Sequence, residues 1–185
     1  SNEIESGTLA AFQMCQQLRA EGKSGGASAY VMMGQLSNQA AVQPTKDCHD
    51  VIGMDMCNFI TIIDEQTANW SRDEAADLMT NWISSGEPFD AVFANNDEMA
   101  IGAIQAMKAS GISMDAVVVG GVDATSDALV AMQAGEMDVT VFQDLAGQGA
   151  GSIDTAIKLA AGEAVDKTVF IPFKLVTPAN LGDFQ

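Results

Sequence analysis

Residues 89–108, FDAVFANNDEMAIGAIQAMK, constrain the fold more than any other stretch of the chain. They open on an unbroken apolar run, Ala91-Val92-Phe93-Ala94, the pattern of a strand buried on both faces rather than one alternating between core and water. Four polar residues follow: Asn95, Asn96, Asp97 and Glu98. Met99, Ile101, Ile104 and Met107 then recur near the spacing that puts apolar side chains on one side of a helix. A buried strand feeding directly into a helix is half of a crossover unit, and crossovers join parallel strands.

The same alternation runs through the chain. Residues 3–20 read as a helix, with Ile4, Leu9, Phe12, Cys15 and Leu18 on one side and Ser1 or Asn2 as cap. Strands are expected at 29–33, 58–63, 116–119 and 138–142, with further extended pieces at 169–173 and 175–176. Helices are expected over 71–84, 126–134 and 145–162. After the strand at 29–33 a helix should follow, with Pro44 interrupting it or delaying its start. Residues 66–70 read as an exit loop after the strand at 58–63. The pattern calls for an α/β fold: a doubly wound parallel sheet covered by helices on both faces.

Composition narrows the function classes. With 185 residues and 48% apolar content, the chain can bury a sizeable core. A formal charge of −17 and only two arginines, Arg19 and Arg72, exclude a basic surface for nucleic acid or anionic membranes. No apolar run approaches the ~18 residues of a membrane span. The three cysteines, Cys15, Cys48 and Cys57, have no metal-binding spacing. Cys48 and Cys57 are close enough in sequence to pair across a short loop, while Cys15 lies on an apolar helix side and reads as a small buried hydrophobe.

Chemistry is concentrated where strands end, the place where open α/β sheets bind ligands. Asn96 offers a donor and an acceptor there, although capping and solvating the next helix accounts for all four polar residues equally well. Asp123 follows Gly120 and Gly121. Glycines let the backbone turn tightly, and a carboxylate accepts two hydroxyl hydrogens in charge-assisted bonds. Its alternative role is as N-cap of the helix over 126–134, for which Thr125 or Ser126 is better placed. Trp70 stands just before a helix, either as an aromatic face for a sugar ring or as a hydrophobic staple.

FANNDEMAIGAIQAMKASGI, followed by VVVGGVDATSDALVAMQAGEMDVTVFQD, resembles the ribose- and inositol-type periplasmic binding proteins of bacterial ABC importers. The resemblance covers nearly the whole chain, most specifically residues 66–148 and most weakly residues 43–58. It implies two Rossmann-like lobes joined by a hinge and closing on a sugar, with a periplasmic location and an ABC permease as partner. It also implies that the chain begins at the first interlobe crossing, so that most of the N-terminal lobe is absent. Residues 1–143 then form the C-terminal lobe, and residues 144–185 pack on the N-terminal one. The implied ligand residues are Trp70, Asn96, Asp123 and Gln143, with Ser1 at the other crossing. The family's arginines between residues 38 and 45 are replaced here by Val42 and Pro44, which favours a neutral sugar or cyclitol over an anion. The bared apolar side of the helix over 145–162 and an unpaired strand edge call for a homodimer through residues 145–185.

Two other functions fit parts of this pattern. The effector domain of a sugar-responsive repressor has the same fold, but the charge and the DEMAIG and VFQD motifs favour transport. An enzyme finds little support: the single histidine, His49, beside Cys48 makes no nucleophile–base pair, because adjacent helical side chains diverge. The glycines at 147–151 make a poor dinucleotide fingerprint, set behind Asp144 and lacking the third glycine at Ser152. Neither a cofactor nor a metal is expected.

Overall fold

A computed structural model describes residues 3–184. The elements are α1 (Glu3–Ala20), β1 (Ala27–Met33), α2 (Gln39–Ile52), β2 (Ile60–Thr67), α3 (Arg72–Ser85), β3 (Ala91–Ala94), α4 (Asp97–Ala109), β4 (Val118–Gly120), α5 (Ser126–Gln133), β5 (Thr140–Phe142), α6 (Leu145–Ala160) and β6 (Lys174–Val176). Four parallel strands form a sheet in the order β2-β1-β3-β4. The sheet extends to β5 through parallel bridges at Gly120–Val139 and Asp123–Phe142, and β6 runs antiparallel beside β5. This is a doubly wound sheet whose winding reverses between β1 and β3, the switch point at which such sheets open a crevice.

The buried runs read from sequence are the centre of this sheet. Alternate residues of β1 and β3 face opposite layers. Tyr30, Met32, Val92 and Ala94 pack with α3, α4 and α5, while Ala29, Val31, Ala91 and Phe93 pack with α1 and α2. Tyr30 stacks on Trp82 of α3 with ring centroids 4.3 Å apart. Arg72 at the start of α3 bonds both Glu98 oxygens and Asp127, tying together the ends of α3, α4 and α5.

Several expectations are corrected. Strand β2 runs on to Thr67, so Gln66 and Thr67 lie in the strand rather than in the exit loop, and Asp64 and Glu65 continue it. An edge strand tolerates such residues because one side meets water, and Asp64 is occupied by Trp82 Nε1 at 2.7 Å. Pro44 neither breaks nor delays α2 but sits inside it. It is buried against Gly7 of α1, where an added Cβ would come within 2.5 Å of the Pro44 Cα. That close helix contact offsets the lost backbone bond. Of the extended pieces expected over 169–176, only Lys174–Val176 forms a strand.

The cysteine expectation is also overturned. Cys15 is bonded to Cys57, and Cys48 is the buried free thiol. Cys15 lies on the inner side of α1 over the turn that follows α2, whereas Cys48 points from α2 into the core. Sequence proximity between Cys48 and Cys57 therefore carries no information about pairing. Burial pushes the Cys48 thiol up to about 12, so it is inert in the folded chain.

Candidate functional site

The carboxyl ends of β1, β3, β4 and β5 open into a cleft of about 260 Å³. Trp70, Asn96, Asp123 and Gln143 all line it. These four sequence-selected residues come from four different junctions, spread over 70–143, and the sheet order brings them together. Ser1 lies outside the described residues.

Each is positioned by local geometry. Asn96 is the N-cap of α4, its Oδ1 accepting the Met99 N–H at 3.0 Å. Capping occupies the oxygen and leaves the amide donors without an acceptor among the described residues. Asp123 sits at φ 117°, and the following Ala124 at φ 54°. Its N–H bonds Val141 O at 2.9 Å, so the loop is fixed to β5. Helix α5 is capped by Thr125, as the sequence favoured, so Asp123 is spared that role. Trp70 at φ 68° follows Asn69 at φ 51°. Its indole lies over Gly34, at a place where a Cβ would stand 2.1 Å from the ring. Among the described residues, the non-glycine positions with positive φ thus fall at or beside Trp70 and Asp123. Such strain persists where the surroundings hold it.

The cleft also takes in residues the sequence did not single out: Asn95, Phe173 and Ser6, while Asn38 and Pro44 arrive from the start of α2. Asn95 is buried and accepts from the Gly34 N–H at 3.1 Å and the Thr45 hydroxyl at 3.2 Å. Its neighbour's role was legible because a strand exit needs a cap; Asn95 depends on Thr45, far away in sequence. Phe173 reaches the cleft from just before β6, and its N–H bonds Glu5 at 3.2 Å. Of the two positions where the resembling family carries arginines, Pro44 lines the cleft and Val42 is 47% exposed outside it. Asp123 is the charged residue among the lining side chains.

Behind the cleft lies Asp97, fully buried. Burial pushes its carboxyl up to about 7 and Asp123 adds to the rise, against hydrogen bonds from Thr140 and Thr125 that lower it. At the other end of β5, Asp144 caps α6 by accepting the Gly147 N–H at 2.7 Å, filling the glycine turn with a carboxylate rather than leaving it for a phosphate. Among the described residues no His, Cys, Asp and Glu cluster is placed to hold a metal ion. No helix among them is long and apolar enough to cross a membrane.

A doubly wound α/β lobe with a polar, aromatic-edged cleft at its strand ends is the class that fold and site define. The chain belongs to the periplasmic binding protein family, whose domain matches residues 1–164. It is 63% identical over 185 residues to a putative rhizopine-binding protein of Rhizobium meliloti and 30% identical over 168 residues to a xylitol-binding protein of Mycolicibacterium smegmatis. These matches cover 100% and 90% of this chain, but 58% and 45% of the relatives. A solved ABC transporter solute-binding protein of Bacillus halodurans with bound myo-inositol superposes with a TM-score of 0.86 at 40% identity, covering all of this chain and 61% of that one. A periplasmic solute-binding protein of Actinobacillus succinogenes with bound D-allose gives a TM-score of 0.89 at 23% identity, a likeness of fold alone.

Proposed function

We propose that the chain is the ligand-binding lobe of the solute-binding component of a bacterial ABC importer, taking a neutral sugar or cyclitol at its strand ends. The observation that carries this reading is the convergence of Trp70, Asn96, Asp123 and Gln143 on one cleft in a chain of this family. A polyol needs an apolar face for its C–H surface and planar groups for adjacent hydroxyls. Trp70 supplies the first, and the Asp123 carboxylate, the Asn96 amide and the Gln143 amide supply the second. With a carboxylate and no cation among the described lining residues, an anionic solute would meet repulsion without compensation. The function is capture and delivery to a membrane permease from the periplasm, with no bond chemistry.

In this reading, residues 1–143 are the ligand-facing lobe, and α6 with the chain after it forms a surface for further structure. Leu145, Ile153, Ile157 and Phe170 are 69%, 63%, 62% and 58% exposed. Such a surface is covered by the remaining length that the relatives possess or, in the 185-residue chain alone, by a second copy. One wall of the cleft gives a solute half its contacts and little exclusion of water, so the chain alone binds in the millimolar range.

A thermal-shift panel tests the ligand class, with myo-inositol, xylitol and D-ribose against their phosphates and D-glucuronate at tens of millimolar. Stabilisation by a neutral member supports the reading; stabilisation by a phosphate or uronate alone sinks it.

A further inference from the structure

Asp97 does not line the cleft, yet its bonds reach the loop that carries Asp123 and the strand that ends at Gln143. Its N–H bonds Val122 O at 2.8 Å. Its Oδ2 accepts the Thr125 N–H at 2.8 Å, and its Oδ1 accepts the Thr140 hydroxyl at 2.7 Å. Thr140 Oγ1 in turn accepts the Ala124 N–H at 3.1 Å. The carboxylate is thus bracketed by Asn96 on its own helix, by the residues on both sides of Asp123, and by the strand that ends at Gln143. We propose that Asp97 is a positioning residue that sets the Asp123 loop for ligand, and that its protonation releases that loop and weakens binding. The proposal rests on the cleft being the ligand site.

The donor count fixes the sign. Both partners of the Asp97 oxygens are donors, and Thr140 already receives the Ala124 N–H, so its hydroxyl hydrogen points to Asp97. A proton on Oδ1 competes with that hydrogen, and a proton on Oδ2 competes with the Thr125 N–H. Either way one donor loses its acceptor beside Asp123, whose positive-φ backbone needs support. The groups facing Asp97 are few. Asp123 is its charged neighbour; Gly121, just after β4, approaches Asp97 with Met137 of the turn before β5 beside it, and Thr125 and Thr140 are uncharged. Glu98, next in sequence, is turned away into its pair with Arg72.

Raised to about 7, the carboxyl titrates at neutral pH. Two linkages with opposite signs follow. Its pKa in the fold exceeds its unfolded value, so the folded state holds more protons between them, and this group's contribution to stability grows as pH falls. Ligand binding should do the reverse, because the ionised form holds the loop. Hydroxyls donated to Asp123 also screen its charge and lower the Asp97 pKa, so binding releases a proton near neutrality. A residue acting only on stability would not lose binding while the fold gains.

Two-dimensional amide NMR of the whole chain between pH 5 and 8, without and with myo-inositol, tests this. In the ligand-free protein the Asp123, Ala124 and Thr125 amides should follow one titration near pH 7 that is absent in Asp97→Asn. Wild-type inositol binding should weaken about sixfold from pH 7.5 to 5.5 if the ligand moves the Asp97 pKa down by one unit from about 7, whereas Asp97→Asn should bind weakly and without that slope. Thr140→Val, which removes the shared hydroxyl, should reproduce the weak binding, and Thr140→Ser should restore it. The proposal is overturned if the three amides do not titrate together in the wild type, or if Asp97→Asn keeps wild-type affinity and pH profile. If no polyol binds at any pH, the ligand-site reading fails, while the ligand-free titration still decides whether Asp97 holds the loop.

Discussion

Substituting Gly34 with alanine isolates the placement of Trp70. Gly34 is not among the positive-φ residues, so alanine suits its backbone and the effect is steric. A Cβ there would lie 2.1, 2.2 and 2.4 Å from three indole carbons. Non-bonded carbons settle near 3.5 Å, so the ring must retreat by roughly 1.3 Å. Overpacking of this kind costs about 1–3 kcal/mol when the neighbour cannot move. Trp70 is only half-buried and borders an open cleft, so it swings outward and the stability loss falls at the low end of that range. The ligand then loses its aromatic platform, worth about 0.5–1.5 kcal/mol, a roughly two- to tenfold weaker polyol complex. Amide-shift titration with myo-inositol gives the affinity, and thermal unfolding gives the stability. The decisive control is the double-mutant cycle: in a Trp70→Ala background, Gly34→Ala should be nearly neutral for both. Equal losses in both backgrounds would show that Gly34 acts by another route.

Three further outcomes are expected. Asp123→Ala should weaken polyol binding more than Gln143→Ala, by ~1.5–3 against ~0.5–1.5 kcal/mol, because a charged acceptor is removed; calorimetry showing no change for Asp123→Ala would take it out of the site. Opening the Cys15–Cys57 bridge, which spans 42 residues, should cost about 4 kcal/mol in urea unfolding on the chain-entropy account, and an unchanged midpoint after verified reduction would contradict it. Ile157→Glu on the exposed side of α6 should shift the chain toward monomer in light scattering; a wild type that is monomeric at all concentrations would refute association through this surface.

Legibility followed the reach of each signal. The βα junction at 91–98 was plain because a doubly buried strand, its cap and the helix period are all local. Trp70, Asn96 and Asp123 stand out in the sequence because each lies near a strand end, and the winding of the sheet gathers strand ends; Gln143 is named only by the family resemblance. The disulfide was misread because pairing depends on α1 lying over the end of α2, a tertiary fact invisible in the spacing. The strand read as ending at Ile63 runs to Thr67, because an edge strand can carry the polar residues Asp64, Glu65 and Gln66. Asp97 read as a helix-start acid because its partner Thr140 lies 43 residues on. Asn95 and Phe173 likewise owe their places to distant chain.

In the proposed function a neutral polyol sits on the strand ends against these side chains. The most direct measurement is a crystal structure of the chain soaked with the polyol that stabilises it best. The expected result is the ring resting on Trp70, with hydroxyls bonded to the Asp123 carboxylate and to the amides of Asn96 and Gln143. A polyol ordered elsewhere, or one in this cleft that touches neither Trp70 nor Asp123, would contradict it.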